Sequence, residues 1–223
     1  MVKDVAIFLC NLTMAMPQPW LDAGYHVVLV DPQHPAGIHT EGRITRIGAV
    51  ITDCLDYLGA LIRSGRVAFV AGFPPCTDVS LSGTRWWAAK FLADRYFQAK
   101  AAIVAEQCRM IGALSGARWI FENPKSAFSR IFGAPQYKFH PHQYTGYCAD
   151  DNYTKDTWLW TGGGFVMPEP FVLAGLFAPD DRIHKCPPGD ERGNIRSATP
   201  VGFSIAVFRA NGRPLPMQME LAA

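Results

Sequence analysis

No apolar run in this chain reaches the roughly 18 residues that a membrane-spanning helix needs. No C-x-x-C pair occurs, and the six cysteines, at 10, 54, 76, 108, 148 and 186, are widely spaced. That pattern favours reduced thiols in a cytoplasmic compartment over a disulfide framework. The opening "MVKDVAIFLCNLT" is too short and wrongly flanked for a secretory signal, and reads as a first strand. Charge is sparse: 18% of residues, 21 basic against 19 acidic, net +2. Such a balance neither demands nor excludes nucleic acid, since a local basic face fits inside a near-neutral total. There is no internal repeat, no low-complexity tract, and no glycine between Met1 and Gly24. What is present, 223 residues at 49% hydrophobic, suits one large α/β domain with at most a small appendage.

Short apolar runs alternate with helical spacing over the first 125 residues. "VAIFLC" (Val5 to Cys10), "YHVVLVD" (Tyr25 to Asp31), "RVAFVAG" (Arg66 to Gly72) and "ARWIFENP" (Ala117 to Pro124) read as strands. Trp20 to Ala23, Asp53 to Gly65 and one long stretch from Trp86 to Leu114 read as helices, with Gly24, Gly65 and Gly116 as stops. This alternation predicts a mostly parallel sheet with helices on both faces. After Lys125 the texture turns to Pro, Tyr, His and Gly. "DTWLWTGGGFVMPEP" reads as a strand entering a turn, "HKCPPGDERGNIRS" as a loop and Thr199 to Gly212 as a last helix. The tail beyond Pro214 is expected to fray.

In parallel sheets ligands sit beyond the carboxyl ends of the strands, where Asp31, Cys76 and Glu122 fall in this reading. Cys76 follows two prolines, which fix φ and remove two backbone donors, so the thiol approaches in a set direction. A thiolate adds to electron-poor carbon, and an acid beside it protonates the heteroatom that becomes electron-rich. Cytosine needs both: addition at C6 with protonation at N3 turns C5 into a carbon nucleophile.

"GFPPCTDVS" followed by "FENP" resembles the DNA cytosine-C5 methyltransferases, and "WLWTG" and "IRSATPVGF" are similar to compact phage and bacterial DNA methylases. The resemblance implies an α/β, doubly wound, mostly parallel sheet of the Rossmann-like S-adenosylmethionine-dependent kind, with a small irregular C-terminal insertion. It implies Cys76 as nucleophile, Glu122 as the group that contacts N3 and the exocyclic amine, and Asn123 as the residue that steadies the loop. S-adenosylmethionine is the implied cofactor. Phe8, Asn11, Leu12 and Thr13 would form its near wall, Asp31 and Pro32 its ribose side and Asp53 its adenine side, with Pro74 and Thr199 bordering it. On the DNA side it implies Ser80, Ser82 and Arg85, with Lys155 as the cation in place of an arginine-rich element. The patch Arg85, Trp86, Trp87 and Lys90 could stack on bases and pair with phosphates, or begin a packed helix.

Besides that missing arginine-rich element, the chain departs from the family in two places. Where a Phe-x-Gly-x-Gly turn is expected it has "FLCNLT", with Asn11 as the residue able to take a left-handed conformation. Only about thirty-five residues separate Gly162 from Arg196, too few for a large reader of base edges. His140, His142, Cys148, His184 and Cys186 match no standard zinc spacing, so no metal is expected. The expected organisation is a cofactor-binding and catalytic core over 1–125, a recognition-like region over 126–195 and a returning helix with its tail over 196–223. The expected activity is methyl transfer to C5 of cytosine in cytoplasmic DNA, with a protein partner as one possible source of targeting and no membrane. The rivals are C5 chemistry on a free pyrimidine nucleotide or with another transferred group, and a catalytically degenerate fold that binds nucleic acid or a partner.

Overall fold

The computed structural model describes residues 2–187, 189 and 192–215. The elements in chain order are β1 (Val5–Leu9), α1 (Gln18–Asp22), β2 (His26–Val30), β3 (Gly37–Glu41), β4 (Ile44–Gly48), α2 (Leu55–Arg63), β5 (Val67–Gly72), α3 (Trp87–Ala93), α4 (Phe97–Ser115), β6 (Arg118–Pro124), α5 (Phe128–Ile131), β7 (Tyr137–Phe139), β8 (Thr157–Gly162), α6 (Arg182–Lys185), α7 (Arg192–Ser197) and α8 (Val201–Asn211). Single 3-10 turns at Ile51–Cys54 and Leu81–Trp86 lead into α2 and α3.

The strands form one 8-stranded sheet in the order β3-β4-β2-β1-β5-β6-β8-β7. The inner strands β4, β2, β1, β5 and β6 run parallel; β3, β8 and β7 pair antiparallel. The chain leaves β1 for β2 on one side and returns to β5 on the other. The order therefore reverses between β1 and β5, the place where such sheets open a crevice at their carboxyl edge.

Period-two alternation explains why the inner strands are apolar throughout. In β1, Ile7 and Leu9 join a core with Leu58 of α2 and Ala101, Ala105, Cys108 and Ile111 of α4. Ala6 and Phe8 point the other way, into a core with Trp20 of α1 and Phe203, Ala206 and Val207 of α8. Helices thus cover both faces. Trp20 stacks on Phe69 at 4.5 Å between ring centroids, and both are fully buried. Truncating such a buried aromatic costs about 3–5 kcal/mol.

The observed elements differ from the sequence expectation in several places. The hairpin β3–β4 is unforeseen: Gly42 takes φ 55° at its tip, and β3 is exposed throughout, so no buried stripe marks it. The long helix divides at Asp94, whose backbone is extended and whose Oδ1 accepts the Tyr96 amide at 2.9 Å. An aspartate that bonds local backbone competes with the helix in this way. Residues 126–195 do not form a separate irregular unit, since β7 and β8 extend the main sheet. Part of the expected loop at 184–197 is helical in α6 and α7, Cys186, Pro187 and Gly189 lie outside any element, and 188, 190 and 191 lie outside the described residues, as does the tail from 216 onward. Gly116 ends α4 with φ 60°, as a left-handed stop. Among the described residues no helix is long and apolar enough to cross a membrane.

Candidate active site

β5 delivers the Pro-Cys loop. Gly72 ends that strand against α4, where a Cβ would lie 2.5 Å from the Cys108 Cβ, so only glycine fits. The Phe73 amide then donates to Leu9 at 2.9 Å, which aligns the loop with the end of β1. Pro74 and Pro75 follow. The Cys76 carbonyl accepts the amides of Val79 at 3.1 Å and Ser80 at 2.8 Å, closing a tight turn around the thiol.

The end of β6 clamps this loop. Asn123 is 1% exposed and donates its side-chain amide to the Pro74 carbonyl at 2.9 Å. The Leu81 amide donates to Lys125 at 3.0 Å and the Ala127 amide to Val79 at 2.9 Å. Lys90 donates to the Thr77 carbonyl at 2.9 Å and also pairs with Asp78.

Glu122 lies in β6 opposite Leu159 of β8. Its Oε1 is buried with no hydrogen-bond partner; Asn123, next in the strand, carries its own unpaired Oδ1 on the opposite face. Burial raises the Glu122 pKa, and Lys155, with its Nζ 3.9 Å from Oε1, pulls the other way. Burial also raises the Cys76 pKa, and the Glu122 charge raises it further, while the charges of Lys155 and Arg196 lower it. Thiol, carboxyl and two cations therefore share one electrostatic environment at the carboxyl edge. The buried Glu122 oxygen without a donor favours a ligand that brings a polar group to it.

The remaining expected residues fall at several places. Asn11 is buried, with its amide on the Val30 carbonyl and its own carbonyl facing the His34 ring at 3.1 Å. Its side chain donates to the Thr13 carbonyl at 3.0 Å. The left-handed residue is not Asn11 but Cys10, with φ 53°, the one non-glycine with positive φ among the described residues. Cys10 thus occupies the position of the first expected glycine and packs against the core that contains Cys108. Leu12 is half-buried and Thr13 exposed in the same turn. Phe8 is fully buried against Phe69, so its side chain packs the core and does not line the crevice.

Asp31 ends β2, 7% exposed, its Oδ1 accepting the Gln33 amide at 2.9 Å, with Pro32 exposed beside it. Asp53 is exposed in the 3-10 turn after β4, on the same edge. Pro74 is buried in the clamp, and Thr199 is half-buried just before α8. Ser80 and Ser82 bond each other at 2.9 Å, and Arg85 is exposed, its guanidinium 5.0 Å from the Trp86 ring centroid. Trp87 packs against the core.

Lys155 is not a surface cation. It is 8% exposed, and Nζ donates to the carbonyls of Ser197 at 3.4 Å and Ala198 at 3.2 Å. Sequence reasoning also gave no role to Asp151, whose Oδ2 accepts the Gly202 amide at 2.6 Å in the first turn of α8. No local signal marks that contact, which joins residues 51 apart. A cavity of about 790 Å³, lined by Ile103, Trp119, Phe132 and Trp160 among others, contains none of these site residues. No model of a known protein family matches the chain, and no curated protein matches it.

Proposed function

We propose that this chain is a compact S-adenosylmethionine-dependent methyltransferase of the Rossmann-like kind, acting on C5 of cytosine in cytoplasmic DNA. The observation that carries the reading is the buried, unpaired Glu122 Oε1 within electrostatic reach of the Cys76 thiol. A pyrimidine between them offers an electrophilic C6 to the sulfur and, to the Glu122 carboxyl, N3 as acceptor of its proton and the exocyclic amine as donor to its other oxygen.

The chemistry follows from these groups. Glu122 in its neutral form no longer opposes ionisation of Cys76, so the protonated acid and the thiolate favour each other. The thiolate adds to C6 while Glu122 delivers its proton to N3, leaving C5 with enamine character. After the methyl group is transferred, loss of the C5 proton, expulsion of sulfur and return of the N3 proton to Glu122 restore the ring. Asn123 holds Pro74, and hence the approach of Cys76, in place. The base must leave its stack to reach this buried position.

S-adenosylmethionine supplies the electrophilic methyl group when bound. Fit to it rests on the turn at Cys10 to Thr13, which follows β1 at the carboxyl edge, and on Asp31, one of whose oxygens is already engaged while the other remains for a ribose hydroxyl. Asp53 stands on the same edge for the adenine side. A second reading, C5 chemistry on a free pyrimidine nucleotide, is favoured by one observation: β7 and β8 are consumed in the sheet, which leaves little chain for reading base edges.

The test is covalent trapping. Fluorine at C5 cannot leave as a cation, so cytosine carrying it stays attached to sulfur after methyl transfer. Incubation of such an oligonucleotide with the protein and S-adenosylmethionine is expected to give an adduct at Cys76 by peptide mass spectrometry. No adduct with either the oligonucleotide or the corresponding nucleotide would contradict the mechanism.

A further inference from the structure

The segment leading into α8 lies across the carboxyl edge of the sheet. At one end the Asn194 side-chain amide reaches the Gln33 side chain, just past β2, at 3.5 Å. At the other, Lys155 holds the carbonyls of Ser197 and Ala198. Arg196 sits between these ties, half-buried on α7, and its charge reaches the Cys76 thiol. Among the described residues it forms no salt bridge. Lys155 is already committed to two carbonyls.

A half-buried arginine without an anion is held at a cost. Its planar fork matches two oxygens of a phosphate, and the backbone on its C-terminal side is fixed by Lys155. One turn earlier on the same helix face stands Arg192, whose Nε is buried and has no partner among the described residues.

We propose that Arg196 forms a phosphate subsite, taking the phosphate attached to the nucleotide whose base meets Cys76 and Glu122. The inference rests on the pyrimidine reading above and extends it: the substrate must be a nucleotide or a nucleic-acid strand, and a nucleoside alone fills the site poorly.

The experiment is calorimetric titration of the intact chain and its Arg196→Gln variant, each confirmed folded by its melting curve. The ligands are inorganic phosphate, deoxycytidine, dCMP, and a short single-stranded oligonucleotide with one cytosine. The oligonucleotide is used with and without a neutral methylphosphonate 5′ to that cytosine. A charge-assisted bidentate contact predicts that dCMP binds about tenfold or more tightly than deoxycytidine, that Arg196→Gln erases the difference, and that deoxycytidine affinity stays unchanged. If only the methylphosphonate lowers affinity, again in an Arg196-dependent way, the phosphate belongs to a strand. Arg196-dependent binding of inorganic phosphate with no pyrimidine binding would keep the subsite and remove the pyrimidine reading. Equal affinities of the native and Arg196→Gln chains for every phosphate-bearing ligand, or no binding of any of them, overturn the proposal.

Discussion

Asn123 and Pro74 are joined by a 2.9 Å hydrogen bond from the side-chain amide to the proline carbonyl, across 49 residues of sequence. The bond fastens the loop after β5 to the end of β6. It fixes how the thiol at 76 meets the carboxyl at 122, because each lies within two residues of an anchor.

Asn123→Ala removes this buried donor and leaves the Pro74 carbonyl unpaired. The expected cost is about 1–3 kcal/mol of stability. Loss of amide protection should concentrate at Val79 and Ser80, read by hydrogen exchange, and methyl transfer should fall with it. Unchanged exchange at those amides would show that the clamp does not hold the loop.

Glu122→Gln separates the cost of charge from the shape of the site. The folded-state pKa of Glu122 is raised by burial. Ionisation therefore disfavours the folded chain once pH exceeds the ordinary glutamate value of about 4.3, and the penalty stops growing above the raised folded value. The glutamine variant carries no such penalty. Its melting temperature, relative to the native chain, should rise between mildly acid and neutral pH, and a difference independent of pH would contradict the burial argument.

The thiol titration probes the same cluster without any methyl transfer. The Glu122 charge raises the Cys76 pKa and the Lys155 charge lowers it. The rate of Cys76 alkylation against pH should shift to lower pH in Glu122→Gln and to higher pH in Lys155→Met. Coincident profiles in all three proteins would place the groups in separate environments.

Cys10→Gly restores glycine at a position with φ 53°. Relief of left-handed strain, about 1–2 kcal/mol, is partly offset by the added freedom of the unfolded chain, about 0.5–1 kcal/mol. Stability should change little, while removal of the Cβ opens the turn to a cofactor. Tighter binding of S-adenosylhomocysteine is the expected calorimetric result; weaker binding would assign Cys10 a role of its own.

Strands buried on both faces were legible because they are written as unbroken apolar runs, as in Val5–Leu9 and Val67–Gly72. The hairpin Gly37–Glu41 with Ile44–Gly48 was not, because its outer strand buries nothing; Gly42 was its only local signal. Cys76 and Glu122 were legible as strand-end residues beside prolines. The inward turn of Lys155 was hidden, since its partners are carbonyls 42 and 43 residues away, and carbonyls carry no residue-type signal. Asn11 was the better sequence candidate for a left-handed turn, yet Cys10 takes it; packing of Cys10 against the core that holds Cys108 accompanies that choice.

The most direct test of the central claim is nucleoside mass spectrometry of DNA treated with the protein and methyl-labelled S-adenosylmethionine. The expected product is 5-methylcytosine bearing the label, formed by the native chain and absent with Cys76→Ala. Label found on another base or atom, or equal labelling by the Cys76→Ala chain, would contradict the account.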